Sequence, residues 1–473
     1  MKRSKFGLWL VVILALFALI GCSDGGDDDD NDAAADDDAA AGDDDAADDD
    51  TASDDDDTAG DDDTACPDAD SDGFTDEACG GEDCDDGNDA IYPGAEEICG
   101  DGIDQDCDTV ADDGCDIWHI DTILDEFPAG ANSRFYSLAY DADGAPLVAF
   151  YKPMEQNLSF ATRQGPGKAW QQTIIDGAGD PGRYANINVA ADGRIGIAYY
   201  AKTDGDIRAA FKEPGGSWTT MTIDDQGDVG MYAKMLFNKN DEAEIYCYKK
   251  NAYYLSHYSE DNGWYLDKVF DSGGAGGFGY AFDTKMNTLG FPVFAWPDWD
   301  SEPPTGKDMG YDAMYIGWYH PFYGWNYNQL YWGNELELQK EFVAVTWTID
   351  EMLKGFFITE GVPILMVAEW GGSYWGYYDL PDFNVAPAGP VTADTASDGT
   401  IWIGYTNALT GSPRVAWETN NILWRFEDVF EGDQFGGNVY LKVAPNDMPT
   451  MLFFDHTQGA LRYARLERIP EVD

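Results

Sequence analysis

Six cysteines lie within fifty residues of one another and mark the stretch of this sequence with the most evident chemistry. They are Cys66, Cys79, Cys84, Cys99, Cys107 and Cys115. Cysteines at this density are typical of small disulfide-stapled domains in exported proteins. We therefore predict three disulfides, while the spacing alone leaves their connectivity open.

Aspartates alternate between these cysteines in the manner of loops that bind a hard cation. The clearest run is Asp68-Ala-Asp70-Ser-Asp72-Gly73-Phe-Thr-Asp76. Alternate carboxylates can converge on one ion, and glycine permits the sharp bend. The glutamate that would complete an EF-hand is replaced by Cys79, so further ligands must come from later residues. We predict calcium with oxygen-only coordination, and the candidate ligands are Asp68, Asp70, Asp72, Asp76, Asp83, Asp85, Asp104, Asp106 and Asp108.

Three motifs of this stretch resemble the metal-binding repeat of secreted proteins from myxobacteria and their relatives. They are Asp83-Cys84-Asp85-Asp86, Tyr92-Pro93-Gly94-Ala95-Glu96-Glu97-Ile98-Cys99 and Gly102-Ile103-Asp104-Gln105-Asp106-Cys107-Asp108. The loops are also similar to thrombospondin type 3 repeats, in which calcium organises a chain with little core. This sequence departs from the repeat at Gly100-Asp101 and at Thr109, where the repeat often has glycine. The alternative is a stapled acidic spacer without an ion.

The N-terminus carries the signals of export. Lys2, Arg3 and Lys5 precede the apolar run Phe6 to Ile20, which is too short for a secure membrane span. Leu19-Ile20-Gly21-Cys22 resembles the bacterial lipobox, which implies cleavage before Cys22 and a lipid on its thiol. An ordinary signal peptide is the alternative. By analogy with enteric bacteria we expect an outer membrane lipoprotein that faces the periplasm or the cell surface.

Residues 23–65 are predicted to be a disordered acidic linker. They hold 22 Asp and no large apolar side chain, so they cannot form a core. Acidic residues between Asp24 and Asp116 number 41 of the chain's 90, and no Lys or Arg occurs between Lys5 and Arg134. With a net charge of -63 the chain is not expected to bind nucleic acid.

Beyond the cysteines, the sequence repeats a pattern of short β-rich runs separated by turns. In Tyr184 to Asp224 four such runs are joined by Asp192-Gly193 and Gly215-Gly216 turns, which predicts a four-stranded meander. Equivalent first turns end at Gly144, Gly193, Glu242, Gly290, Gly361, Gly399 and Asp447. Their spacing predicts seven propeller blades, with six or eight as alternatives. One long interval coincides with a predicted loop at Asp298–Tyr311.

A tryptophan followed five residues later by an aliphatic residue marks the fourth strand of the repeats. It occurs as Trp170/Ile175, Trp218/Ile223, Trp264/Val269, Trp325/Leu330 and Trp424/Val429. The last repeat lacks this strand, whereas Trp118/Ile123 stands alone before the first repeat. We therefore predict that Trp118 to Asp125 forms the outer strand of the last blade and closes the ring.

Together these patterns predict an all-β protein. Residues 1–22 are assigned to the signal peptide, 23–65 to the linker, 66–116 to the calcium-binding Asp-loop module and 117–473 to a seven-bladed β-propeller. The repeats resemble those of sialidase-type secreted propellers. That resemblance would imply three arginines around a substrate carboxylate. Arg134 and Arg183 occupy two equivalent positions, but Met231 stands at the third. Only remnants of Asp boxes occur, such as Gly215-Gly-Ser217-Trp218.

The sequence therefore favours a binding function for the propeller, with a glycan or protein as ligand. Candidate ligand-binding residues are Arg134, Tyr136, Arg183, Tyr184, Tyr232, Trp296 and Trp299. The alternative is a sialidase-like or other carbohydrate-active hydrolase that acts in the channel. Cys247 is expected to be a buried free thiol, and the protein is expected to be a monomer that meets the membrane only through its lipid.

Overall fold

The structure is a computed structural model of the whole chain. It describes residues 66–125, 127, 135–250, 252–259, 263–271, 277–278, 281–301, 311–332, 338–348, 350, 352–359, 363–370, 375–380, 382, 387–419, 423–430 and 438–470. The predicted signal peptide, lipidation site and acidic linker lie outside these residues. Within the described ranges, no helix has the length and apolar character needed to cross a membrane.

Seven antiparallel sheets follow one another along the chain, and we number them as blades 1 to 7. Blade 1 contains β2 (Tyr136–Tyr140), β3 (Pro146–Lys152), β4 (Asn157–Thr162) and β5 (Gln171–Asp176). Blade 2 contains β6 (Pro181–Val189), β7 (Ile195–Ala201), β8 (Asp206–Lys212) and β9 (Thr219–Asp224). Blade 3 contains β10 (Met231–Phe237), β11 (Ala243–Lys249), β12 (Ala252–Ser259) and β13 (Gly263–Asp271).

The second half of the ring is built in the same way. Blade 4 contains β14 (Gly277–Phe278), β15 (Asp283–Met286), β16 (Pro292–Ser301), β17 (Tyr311–His320) and β18 (Gly324–Trp332). Blade 5 contains β19 (Leu338–Trp347), β20 (Leu353–Thr359), β21 (Leu365–Trp370) and β22 (Trp375–Asp379). Blade 6 contains β23 (Pro387–Thr395), β24 (Ile401–Asn407), β25 (Pro413–Thr419) and β26 (Leu423–Asp428).

Blade 7 joins the two ends of the ring. It contains β27 (Val439–Val443), β28 (Pro449–Asp455), β29 (Ala460–Arg468) and, as its outer strand, β1 (Asp116–Leu124). In the antiparallel register Trp118 lies opposite Leu466. The seven-bladed propeller and its closure by the N-terminal strand are thus confirmed. Among the described residues the one helical segment is the 3-10 turn Glu77–Cys79.

The irregular fourth blade corrects one prediction. Instead of a loop that begins at Asp298, β16 and β17 continue their pairing outward, with Asp298 opposite Ala313 and Ser301 opposite Tyr311. The rest of the predicted loop, residues 302–310, lies outside the described residues. The Pro- and Gly-rich composition had suggested a break there. Just inside this extension Trp296 of β16 stacks on Tyr315 of β17, with ring centroids 5.5 Å apart, and such cross-strand pairs stabilise a ladder.

The marker tryptophans hold neighbouring blades together. Trp218 of blade 2 packs edge-on against Phe160 of blade 1, with ring centroids 5.1 Å apart. Trp170 of blade 1 packs in the same manner on Tyr463 of blade 7. Each blade is too small to bury both faces, so these contacts form the core between sheets. Cys247 lies in this core as a buried free thiol, and burial raises its pKa to about 12.

Candidate functional site

Three disulfides staple the module that precedes the propeller, as the cysteine spacing predicted. They join Cys66 to Cys79, Cys84 to Cys107 and Cys99 to Cys115. The middle bridge has a particular position, since Cys84 directly follows Asp83 and Cys107 stands between Asp106 and Asp108. It therefore ties together two groups of carboxylates that are distant in sequence.

Two loops of the module, residues 68–74 and 104–110, repeat one backbone geometry. In the first, the Asp68 carboxylate accepts hydrogen bonds from the Ser71 and Gly73 amides at 2.6 and 3.2 Å. In the second, the Asp104 carboxylate accepts from the amides of Asp108 and Thr109 at 3.2 and 2.8 Å. These bonds hold both loops in a tight turn around their first aspartate.

The first loop gathers five aspartates into one cluster, which we call centre 1. Its members are Asp68, Asp70, Asp72, Asp83 and Asp86, in two overlapping groups whose oxygens lie within 4.8 Å of one another. Asp83 is brought in by a parallel bridge to Asp76 and by its amide, which donates to the Thr75 carbonyl at 3.1 Å. Desolvation and then its carboxylate neighbours raise the pKa of Asp70.

Asp83 is the most deeply buried member of centre 1. Its side chain is fully buried, with 0% exposure. One carboxylate oxygen accepts from the Asp85 amide at 2.8 Å, and the other, Oδ2, has no hydrogen-bond partner among the described residues. Oδ2 atoms of Asp70 and Asp72 are likewise buried and unpartnered there. Burial of a carboxylate oxygen without a partner is costly, so this arrangement fits a cation.

The second loop forms an equivalent cluster, centre 2. Asp104, Asp106 and Asp108 lie together, and Asp106 also meets Glu97 and Asp113. Glu97 is held in place because its carboxylate accepts from the amides of Gln105 and Asp112 at 2.7 and 2.6 Å. Desolvation and the neighbouring carboxylates raise the pKa of Asp106.

Two of the predicted ligands, Asp76 and Asp85, lie in neither cluster. Asp76 caps the 3-10 turn, its carboxylate accepting from the Ala78 amide at 2.8 Å. Asp85 is exposed and belongs to neither cluster. Both were candidate ligands, and neither lies in a centre. Sequence reasoning missed three members, Asp86, Glu97 and Asp113, although Asp86 and Glu97 stand inside the motifs that carried the resemblance.

At the propeller, three aromatic side chains form an arc at the mouth of the central channel. Tyr184 lies between Phe135 and Tyr232, with ring centroids 4.6 and 4.5 Å away. They come from equivalent positions at the inner strands of blades 1, 2 and 3, and all three line a cavity of about 610 Å³. Tyr184 and Tyr232 have φ values of 55° and 56°, a region that side chains rarely adopt.

A glycine that contacts the preceding blade stands before each strained tyrosine. Gly182 and Gly230 each stand two residues before the strained tyrosine, where the inner strand passes close to the preceding blade. A Cβ at Gly182 would lie 2.9 Å from the Leu158 Cα, and one at Gly230 would lie equally close to the Ile207 Cα. Strained residues of this kind persist where the surroundings fix them, often at ligand sites.

The predicted ligand-binding residues divide into three groups. Arg183, Tyr184 and Tyr232 line the channel, and Arg183 pairs with Asp180 at 3.2 Å. Tyr136 also lines the cavity, but it is buried at 5% exposure, and Trp296 is buried at 2%. The Tyr136 hydroxyl donates to the Asn438 carbonyl next to blade 7, so it links the first and last blades of the ring. Its neighbour Phe135 packs on Tyr184 in the arc instead. Arg134 and the Trp299 side chain lie outside the described residues.

A family of metal-binding motifs matches part of the module. Residues 83–113 match the family Cu-binding MopE, described as "Putative metal-binding motif". No curated protein sequence matches the chain. The matched span holds the Asp83 end of centre 1 and the whole of centre 2.

Solved structures with a similar arrangement of strands include three carbohydrate-related proteins. The polysaccharide lyase Uly1 is 9% identical, with a TM-score of 0.49 over 70% of this chain and 89% of its own. A lectin from Aleuria aurantia is 9% identical, with a TM-score of 0.41 over 61% and 95%. The NanB sialidase from Streptococcus pneumoniae is 11% identical, with a TM-score of 0.40 over 74% and 70%. These similarities describe the propeller architecture alone.

Polar side chains of the channel wall connect each inner strand to the next. The Met235 amide donates to the Asn186 carboxamide oxygen at 2.9 Å, and the Val345 amide to the Asp283 carboxylate at 3.0 Å. The Val443 amide donates to Asp394 at 3.1 Å. Burial would raise the pKa of Asp394, but Lys285 and Lys442 outweigh it and hold that pKa well below its usual range. Asp394 is therefore not suited to donate a proton.

Proposed function

We propose that this protein is a membrane-anchored lipoprotein whose module binds calcium and whose propeller binds a glycan at the channel mouth. The calcium assignment depends chiefly on Asp83, whose buried Oδ2 has no hydrogen-bond partner among the described residues and faces two further aspartates. Ligand oxygens on opposite sides of a calcium ion are about 4.8 Å apart, since each lies about 2.4 Å from the ion. In each of the two groups of centre 1 the carboxylate oxygens are close enough together to share one ion.

Calcium is favoured over copper by the donor atoms. Copper prefers imidazole and sulfur ligands, whereas hard cations prefer carboxylates. Residues 66–115 contain no histidine, and all six cysteines of the module are in disulfides. The module also contains no Lys or Arg that could offset the charge of its carboxylates. A divalent ion supplies the missing positive charge.

Calorimetric titration of the metal-free full chain tests this assignment. We expect calcium to bind at both centres and Asp83→Asn to weaken binding at centre 1 by at least about tenfold, because a charged ligand is lost. Asp85→Asn is the matched control, since it removes the same charge two residues away and outside the cluster. Tight copper binding without calcium binding, or equal effects of the two variants, would contradict the proposal.

For the propeller, the arc of Phe135, Tyr184 and Tyr232 supports a glycan. Sugar rings present apolar C–H faces that pack on aromatic rings, while amide and charged groups nearby bind the hydroxyls. The channel offers both, since Asn186 and Arg183 line the same cavity. A cavity of about 610 Å³ suits a short saccharide better than a protein surface.

A glycan array probed with the full chain tests this site. We expect Tyr232→Ala to lower the affinity for the bound glycans by about tenfold, which corresponds to about 1.4 kcal/mol. Tyr323→Ala is the control, because Tyr323 is 79% exposed on a hairpin of blade 4. If both variants bind as the unmodified chain does, the arc is not the binding site.

The anchor is a proposal from the lipobox-like sequence at Cys22. Acyl chains on that thiol would hold the protein at a membrane without a spanning helix. Cys22→Ala should therefore shift the protein from the membrane to the soluble fraction, or leave it unprocessed. Cys247→Ala is the control, since that buried thiol is not at the processing site. Unchanged detergent partitioning of the Cys22 variant would refute the anchor.

A further inference from the structure

Below the aromatic arc, the channel wall carries three ammonium groups. Lys234, Lys285 and Lys442 line the same cavity as Tyr184 and Tyr232. Their side chains are 24%, 26% and 34% exposed, so they are fixed by packing yet reachable from the channel.

Aspartates of the channel wall hold these lysines in place, and their carboxylate oxygens already accept hydrogen bonds. Lys234 pairs with Asp283 at 3.1 Å, and Lys285 and Lys442 pair with Asp394 at 3.3 and 2.8 Å. Asp283 and Asp394 also each accept a backbone amide from the next blade. An ammonium has three N–H donors, so each lysine has donors beyond the one that its aspartate accepts. The channel therefore presents hydrogen-bond donors with positive charge to a ligand.

We infer that the channel site takes a saccharide that carries a carboxylate or sulfate group. The sugar ring packs on Tyr184 and Tyr232, and the anionic group is bound by Lys234 and Lys442 deeper in the channel. A neutral sugar would use the ring contacts but not the charge, whereas an anionic group gains charge-assisted hydrogen bonds. This inference depends on the proposed glycan site and specifies its ligand class.

Matched pairs of glycans test the inference on the full chain. The panel contains hexuronate and sulfated oligosaccharides together with their carboxyl-reduced and desulfated counterparts. We expect removal of the anionic group to lower affinity roughly 10- to 100-fold, as for a hydrogen bond to a charged group. Lys442→Gln should cause a similar loss for the anionic glycan and change the affinity of its neutral counterpart less than about twofold. In Lys442→Gln, Asp394 retains its pair with Lys285.

The control and the outcomes separate this inference from the proposed function. Lys168→Gln removes an exposed lysine that does not line the channel and should leave both affinities unchanged. If neutral and anionic members of a pair bind equally, the inference is wrong and the glycan site stands. If no glycan of either kind binds, the glycan site itself is wrong and the inference falls with it.

Discussion

At the scale of single residues, the two metal loops differ at one position that the backbone makes costly. Gly73 and Thr109 occupy equivalent places, and both have positive φ, 107° and 83°. Glycine adopts this conformation without strain, whereas a β-branched residue does not. Loop 104–110 keeps its shape because Asp104 accepts the Thr109 amide and because Cys107 within it is tied to Cys84. Centre 2 thus forms despite a locally unfavourable residue.

Thr109→Gly should therefore stabilise loop 104–110. We expect a gain of about 1 kcal/mol, which is the lower end of the cost of such a conformation. Hydrogen exchange at the Val110 amide, which donates to Asp108, reports the local opening free energy. Gly73→Thr is the reciprocal variant and should destabilise loop 68–74 by a similar amount. Slower exchange in Gly73→Thr, or no change in either variant, would show that φ does not limit loop stability.

At the scale of elements, the blades are joined by side chains that accept hydrogen bonds from backbone amides of the next inner strand. Asp394 on β23 accepts the Val443 amide of β27 and pairs with lysines from blades 4 and 7. It therefore joins three blades. Removal of the Asp394 charge would leave Lys285 and Lys442 without their counter-charge. The loss of this carboxylate is therefore strongly destabilising.

Asp394→Asn should cost about 3 kcal/mol of unfolding free energy at neutral pH. The folded pKa of Asp394 lies below its ordinary value of 3.8, so the ionised form is favoured by folding. That stabilisation is complete above the ordinary value and is lost as the pH falls through the folded pKa. The difference between the unmodified chain and the variant should therefore shrink in acid. Denaturant titrations at several pH values measure it, with exposed Asp143→Asn as the control.

At the scale of the whole molecule, the strand after the module is also the last strand of the ring. Asp116 at the start of β1 pairs with Arg468 at 2.7 Å, and the Ile469 amide donates to the Cys115 carbonyl at 2.9 Å. The stapled module is thus joined to the propeller at the closure of blade 7. Closure removes the open sheet edge that a propeller would otherwise expose.

Deletion of residues 117–124 should destabilise the propeller by several kcal/mol and promote aggregation, because it exposes the edge of β29. Thermal unfolding and light scattering measure both effects. Deletion of residues 23–65, which precede the module, is the control and should leave propeller melting unchanged. A propeller without β1 that melts like the complete one would show that closure contributes little.

Local patterns in the sequence were sufficient for the blades and for the clustering of aspartates within each loop of the module. Turn positions repeat along the chain, and alternation of apolar residues specifies strands, so the number of blades can be read without knowledge of contacts. The strand at Trp118 stands alone before the first repeat and the last repeat lacks its outer strand, so the two could be matched from the sequence. In the same way, alternate Asp68, Asp70 and Asp72 converge because of backbone geometry within a few residues.

Only the tertiary structure decided which distant residues complete each site. Asp83 enters centre 1 through a bridge to another segment, while neighbouring Asp85 faces solvent and Asp76 is used to cap a turn. Phe135, and not Tyr136, packs on Tyr184 in the arc, because the Tyr136 hydroxyl is directed to the Asn438 carbonyl next to blade 7. The charge of the channel likewise depends on lysines from blades 3, 4 and 7. Such convergence is set by ring closure and strand register, which no local pattern contains.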